Sequence, residues 1–560
     1  MVGFYQLSPE QFEIAVKETV AAYKAVTSKV KTIRPVTWEG SIQPLEEASE
    51  SLDSIWSLLE HENAVSNTPE IRVVYENLLN IITNLHTEIL QDEQLYKVYL
   101  DISESKSFAH LSIPQRTIIE HALRNFKLGG VNLPAESRAK LKELHERLSA
   151  LENKFANNVL DATEGWSYHV TTAQKNLLEG LPERVITEAK NKAIAQEKTG
   201  WVLTLDLPTN IAVASYAQNR QLREEFYVAY YTRASDQGPM AGKWDNTQNI
   251  AEILKIRQEI AHITGYSSYA DYALVPRMAS NTGEVKEFLN KLAVKVKPQA
   301  EREFAELKAF AKQLGFAQEF AAWDVTYYAE RMRENNYSIS EEELRVYFPE
   351  PRVLDGLFKL TKNLFGIEIV PVQDFNSWHP SVRMFEVIDE NKQLRGHFYI
   401  DLYTREGKRG GAWMAECISR IRFATNTLQT PIAYLNCNFA PPSGDNPGLL
   451  THDDVVTLFH EFGHTLHHVL TQIDYYSVAG LNGVAWDAVE LPSQFMENWA
   501  WEWSVIQDIS KNVLTGEPMP RALFDRLLAS KNFHAGMHLS RQLQFAEFDF
   551  RIHENVGKDV

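Results

Sequence analysis

A chain of 560 residues with 44% hydrophobic and 11% aromatic content is long enough to bury a sizeable core in at least two domains. Its 74 acidic against 56 basic side chains leave a net charge of −18, which argues against a nucleic-acid partner and identifies neither an acidic nor a basic substrate. Cys417 and Cys437 stand singly, so a thiol-disulfide motif or a cysteine zinc site has little support, and both are expected to be small buried apolar residues.

In chain order, the first stretch, MVGFYQLSPEQFE, has neither a basic n-region nor an apolar h-region. No window approaches an 18-residue apolar run, so neither an export signal nor a membrane span is read, and a cytoplasmic location is expected. Residues 8–160 carry one helical pattern after another, for example Leu141, Leu144, Leu148, Leu151 and Phe155, which suggests a helical array or bundle. A short strand is predicted at 201–205, and DQGPMAGKWDN at 236–246 reads as a surface connection. Ser340 with Glu343 predicts a capping box. The main β signal lies between 383 and 439. There Phe385 and Val387 lead to a turn at Asp389-Glu390-Asn391-Lys392, Phe398, Ile400 and Leu402 alternate, and PIAYLNCNF gives a further strand.

The next element is the informative one. Thr451 with Asp454 reads as a capping-box-like start, and Val455, Phe459, Phe462, Leu466 and Val469 recur four, three, four and three residues apart. The pentapeptide His460-Glu461-Phe462-Gly463-His464 therefore falls mid-helix. Its two imidazoles lie on one face, where both reach one metal and Glu461 reaches a water bound to it. At about 100° per residue the pair points roughly opposite to the apolar stripe, toward a cleft or solvent. A lone His on an apolar face is more often a satisfied core residue, but this pair lies off that face.

Zinc in a hydrolase takes three protein ligands and keeps the fourth position for water. A metzincin pattern would need glycine at 467 and histidine at 470, where this chain has His467 and Leu470. What remains is a carboxylate from a following segment. Gly480 and Asn482-Gly483 can reverse the chain, and Glu490 then arrives at the start of an apolar, Trp-rich stretch. Pro492 places Glu490 near a helix start or at a kink. His467, Asp487, Glu497 and Glu502 are its rivals, although three ligands on one straight helix would spread over about 10 Å of rise, which weighs against His467. Asp487 and Glu497 also suit a supporting role, accepting the free N–H of a ligating imidazole, and equally suit solvated helix charges. His534 and His538 are again four apart, but without a central Glu they read as helix surface.

The stretches HDDVVTLFHEFGHTLHH and WDAVELPSQFMENWAWEW within 452–503 resemble the thimet oligopeptidase family of HExxH zinc metallopeptidases. So do NVLDATEGW at 158–166, TRASDQGPMAGKWDN at 232–246, YSISEEEL at 337–344, FYIDLYTREGKRGGAWM at 398–414 and KNFHAGMHLSRQLQFAEFDFRIH at 531–553, so that the resemblance covers essentially the whole chain. It implies a mainly α-helical, two-domain zinc peptidase with a small β-sheet beside the active site. A deep channel between the domains would admit only short, unfolded peptides. One zinc ion would be bound by His460, His464 and Glu490, with Glu461 as general base on the zinc-bound water and proton donor to the leaving amine. Gly410, Gly411 and Ala412 resemble the family's segment beside the metal that holds an extended peptide, with a plain loop or strand bend as the alternative.

The expected division is a helical domain I at 1–145 and 240–335 and a catalytic domain II at 146–239 and 336–560. Short peptides are the expected partners of a monomer that binds neither nucleic acid nor membrane. Members of the family continue for roughly 100 residues beyond position 560, a length comparable to a small domain. This chain is therefore expected to lack a C-terminal Gly- and Tyr-rich segment that contributes His and Tyr side chains to catalysis. Phe545, Phe548 and Ile552 of its last helix, ending at Gly557-Lys558-Asp559-Val560, would be left uncovered and turnover would be slow. A zinc- and peptide-binding form with little catalysis is the alternative reading.

Overall fold

The computed structural model describes residues 7–442 and 447–555 and is mainly helical, with small sheets. Local sequence explains the first helix. The Ser8 hydroxyl accepts the Gln11 N–H and the Gln11 side chain returns a bond to the Ser8 N–H, a reciprocal cap, and Pro9 supplies a preset first turn. Phe12, Val16, Val20, Tyr23 and Val30 then share the buried face of Pro9–Val30. Five more helices follow: Gln43–Val65, Pro69–Leu90, Glu93–Ser103, Ile113–Leu128 and Ala135–Glu164. On the last of these, Leu141, Leu144 and Leu148 are buried as their spacing predicts, whereas Phe155 is exposed.

Strand β1 (Ser167–Val170) pairs antiparallel with β2 (Trp201–Thr204), and only β2 carried a readable sequence signal. The 236–246 segment is a run of turns ahead of helix Thr247–Ile263. Ser340 accepts the Glu343 N–H, but the helix it opens, Glu341–Arg345, is only five residues long.

The main β region contains β3 (Glu368–Val372), β4 (Arg383–Ile388), β5 (Leu394–Tyr403), β6 (Trp413–Ile418), the short pair β7 (Ile421–Arg422) and β8 (Leu428–Gln429), and β9 (Ile432–Phe439). Five of these form one sheet in the order β3-β4-β5-β9-β6, parallel only between β5 and β9. Alternation along its central strands feeds two cores. Phe398, Ile400 and Leu402 of β5 and Ala433, Leu435 and Cys437 of β9 pack with Val455, Phe459 and Phe462 of helix His452–Val469. Tyr399, Ile432 and Tyr434 point the other way, into a core with Phe12, Val16, Leu52 and Leu59 of the first helices. The sheet is thus clamped between the N-terminal helices and the helix that carries HEFGH, with β3 and β6 as its two edges.

Cys417 and Cys437 are both buried and free, as expected. Among the described residues no helix is long and apolar enough to cross a membrane. On the last helix, Ala535–Glu554, Leu543 is buried, Phe545 and Phe548 are exposed and Ile552 is partly covered. Gly557, Lys558, Asp559 and Val560 lie outside the described residues.

Candidate active site

Helix His452–Val469 starts as its sequence requires. The Thr451 hydroxyl accepts the Asp454 N–H at 2.9 Å, and the Asp454 carboxylate accepts the Thr451 N–H at 2.8 Å. All five stripe residues from Val455 to Val469 are buried. The opposite side departs from expectation: His464 and Glu461 are buried too and His460 is partly covered, because helix Leu491–Glu497 packs there. Gly463 permits that approach. A Cβ on it would lie 2.6 Å from both the Pro492 carbonyl oxygen and the Ser493 Cα, inside the contact limit of any side chain. Sequence reasoning did not single Gly463 out, although a glycine inside a helix, costing about 1 kcal/mol relative to Ala, is itself a sign of close packing.

The neighbouring segment carries Glu490 at the N-cap of Leu491–Glu497, which resolves the choice left by Pro492 in favour of a helix start. Glu490 Oε2 lies 3.1 Å from His460 Nε2 and 3.0 Å from His464 Nε2. The three donor atoms fall within 4.8 Å of one another, and among the described residues no other group of three His, Cys, Asp or Glu side chains converges in this way. Two imidazole nitrogens and one carboxylate oxygen form a donor set that fits zinc.

The surrounding bonds suit that fit. His460 Nδ1 lies 2.7 Å from Glu497 Oε1; with the proton on Nδ1 donated to the carboxylate, the Nε2 lone pair faces the centre. Ser493 Oγ donates to Glu490 Oε2 at 2.8 Å. Burial works to raise the Glu490 pKa, but the Ser493 hydroxyl and the two imidazoles outweigh it and hold the carboxyl below its ordinary value. Burial lowers the pKa of His464, favouring the neutral ring that a metal ligand must be. Glu461 is pushed up to about 7, first by burial and then by the Glu490 charge, against the opposing pull of His460 and of the Met414 N–H on edge strand β6. A carboxyl group poised there can both accept and return a proton near neutral pH.

The remaining predicted residues are placed as follows. Glu497 meets a ring of the histidine pair, but Asp487 does not: its carboxylate accepts the backbone N–H groups of Met278 and Ala279, all at 3.0 Å. It ties the segment before Glu490 to the turn that follows helix Tyr269–Leu274. His467 and Glu502 stand outside the converging group. His534 opens the last helix in a left-handed conformation and stacks on Phe533.

Gly410, Gly411 and Ala412 lead into β6. Gly411 has φ +98°, where glycine is favoured, and a Cβ on Gly410 or Gly411 would meet nothing within 4 Å. Two unforeseen anchors fix this loop. Asn438 Nδ2 donates to the carbonyls of Arg409 and Gly411 at 2.8 and 2.6 Å. The buried Lys408 ammonium donates to Asp401 Oδ1 at 2.8 Å and to the Tyr403 and Cys437 carbonyls at 3.0 and 2.6 Å.

Comparison with known proteins gives a consistent set of likenesses. Residues 213–560 match peptidase family M3, and residues 16–138 match the N-terminal domain of neurolysin and thimet oligopeptidase. Oligopeptidase A of Salmonella typhimurium is 47% identical over 551 residues, spanning 98% of this chain and 81% of that protein. Oligopeptidase A of Escherichia coli is 48% identical over 525 residues, 94% of this chain and 77% of its own. A Bacillus anthracis protein described as an oligoendopeptidase F shares the fold with a TM-score of 0.56 at 14% identity, over 97% of this chain and 79% of that one. These matches run over nearly the whole of this chain and over 81% and 77% of the lengths of the two oligopeptidase A proteins.

Proposed function

Because this chain belongs to peptidase family M3, we propose that it is a zinc-dependent endopeptidase that hydrolyses short oligopeptides, with His460, His464 and Glu490 as metal ligands and Glu461 as general base. The observation that carries this reading is the meeting of three donor atoms within 4.8 Å, one residue away from a buried carboxyl group. A zinc ion held there would polarise the scissile carbonyl and acidify the attacking water. Glu461 takes that water's proton and delivers it to the leaving amine, a role that its raised pKa supports. Glu497 orients the His460 ring and Ser493 orients Glu490.

Edge strand β6 and the open surface at Gly410, Gly411 and Ala412 receive the substrate backbone in extended form. Residues 1–145 and 240–335 form one domain and residues 146–239 and 336–560 the other, with the site in a channel between them that admits short, unfolded chains. The enzyme works as a cytoplasmic monomer and needs neither membrane nor nucleic acid. The alternative, a metal- and peptide-binding form with little catalysis, is not favoured by the matches to oligopeptidases.

Metal removal tests the reading. The purified chain should carry about one zinc ion, lose cleavage of a short peptide in chelator and regain it when zinc is restored. A chain that retains no divalent metal, or cleaves undiminished after chelation, overturns it.

A further inference from the structure

A second concave site lies beside the segment that leads to Glu490. It is a cavity of about 400 Å³, within the size range of small-ligand pockets, and three separate pieces of chain line it. Helix Ile113–Leu128 contributes His121 and Arg124, one turn apart on the same face. The segment after helix Tyr269–Leu274 contributes Pro276 and Arg277, and the connection between the HEFGH helix and Glu490 contributes Trp486.

The charge balance of this wall is one-sided. Two arginines line it together with His121, whose pKa is lowered by burial and then by Arg124, and no carboxylate does. The Arg124 guanidinium donates to Asn125 Oδ1 at 3.1 Å and that of Arg277 to the Ala273 carbonyl, both neutral acceptors. Among the described residues neither arginine has a carboxylate within ion-pair distance. The nearby acid, Asp487, has both oxygens bonded to the Met278 and Ala279 amides, and it acts on Arg277 through its charge without an ion pair between them. Burial lowers the Arg124 pKa, as expected for a partly covered cation without a counter-charge. Two guanidinium forks facing one cavity match a planar carboxylate. Trp486 is 71% exposed at the same rim, a large aromatic surface free to cover an apolar side chain.

Position links the cavity to the chemistry. Trp486 precedes Glu490 by four residues, so their Cα atoms are at most about 14 Å apart along the chain. An extended peptide advances about 3.3 Å per residue, so no more than about four residues of substrate span that distance, and fewer because 486–490 fold as turns. We propose that this cavity is a carboxylate-binding subsite for the peptide substrate, in which Arg124 and Arg277 hold either the free C-terminal carboxylate or an acidic side chain within about four residues of the scissile bond. The inference rests on the proposed peptidase reading and adds to it a means of choosing substrates by terminal charge and register.

The test uses the zinc-loaded full chain and one short peptide prepared as the free acid, as the C-terminal amide, and as the amide with Glu at successive downstream positions. The acid should be cleaved with kcat/KM about tenfold or more above the amide, chiefly through KM, as expected for a hydrogen-bonded charged partner. Recovery by one of the Glu-bearing amides would identify side-chain carboxylates as the second source. The Arg124→Gln/Arg277→Gln double variant should collapse the acid-to-amide ratio toward one. A ratio near one in the parent chain, a ratio that survives the double variant, or an equal loss on acid and amide peptides would overturn the subsite. Calorimetric binding of the C-terminal product fragment as acid and as amide keeps the two readings separate. If no peptide is cleaved, the peptidase reading fails, while a tighter acid fragment whose advantage disappears in the double variant still supports the subsite and an equal affinity overturns it.

Discussion

Asp401 and Glu490 are two partnered carboxylates in the same half of the chain, and their surroundings could hardly differ more. Asp401, on β5, is fully buried and closed off. Arg405 donates to both of its oxygens at 2.7 Å, Lys408 to Oδ1 at 2.8 Å and Trp378 to Oδ2 at 2.7 Å. Glu490 is half-exposed, bonded by one hydroxyl, and faced by two ring nitrogens that aim at the same point. Every bonding direction of Asp401 is used within the protein, so it can only hold structure. The Glu490 cluster keeps capacity to spare. Unspent coordinating capacity, more than charge or burial, separates a site from scaffold.

The sharpest way to break this comparison is at Glu461, which the proposal makes a base and not a ligand. Glu461→Gln keeps the side-chain volume and removes the basic carboxylate, so turnover should fall by about 10²–10⁴-fold while zinc content stays at the parent level. Metal analysis beside a peptide assay checks both halves. A variant that loses zinc together with activity would show Glu461 to be a ligand.

The second effect belongs to Asp401 and should appear in stability. Lys408→Met leaves Asp401 buried with Arg405 and Trp378 but without its ammonium, and breaking such a pair typically costs about 3–5 kcal/mol. Thermal or denaturant unfolding should register that loss. The acid limb gives a second reading. Burial alone would raise the Asp401 pKa, but Arg405 and Lys408 pull it from 3.8 to about 2. Its contribution is therefore complete above the unfolded value and is lost as pH falls from about 4 toward 2. Asp401→Asn should flatten the stability profile in that window, and an unchanged profile would mean that the carboxylate does not hold the charge assigned to it.

The parts legible in sequence were those whose signals are local. Thr451 with Asp454, the stripe from Val455 to Val469 and the alternation along β5 all declare themselves within a few residues, and each takes the predicted form. Contacts between distant segments stayed hidden. Nothing in the composition of 167–170 announces pairing with 201–204, and Gly463 acquires its meaning only when Pro492 and Ser493 lie against it. Asp487 had the spacing and chemistry to support an imidazole, yet it bonds amides 208 and 209 residues away. The positive cavity was equally out of reach, since His121, Arg124, Arg277 and Trp486 meet only in three dimensions.

The smallest predicted effect uses the pair that sequence could not separate. Glu497 and Asp487 flank Glu490, and both read as possible supports for an imidazole, but only Glu497 reaches one, at 2.7 Å from His460 Nδ1. Its carboxylate fixes which ring nitrogen carries the proton and raises the donor strength of the other. Replacement of such partners typically weakens metal affinity about 10–100-fold. Glu497→Gln keeps an oxygen acceptor and loses only the charge, so a loss near the lower end, about tenfold, is expected in zinc competition against a chelator. Asp487→Asn should leave zinc affinity unchanged, because its oxygens serve the Met278 and Ala279 amides and touch neither ring. If the Asp487 variant loses zinc while the Glu497 variant keeps it, the tether dominates the position of Glu490, and support for the metal would run through the backbone of the connecting segment instead of through the His460 ring.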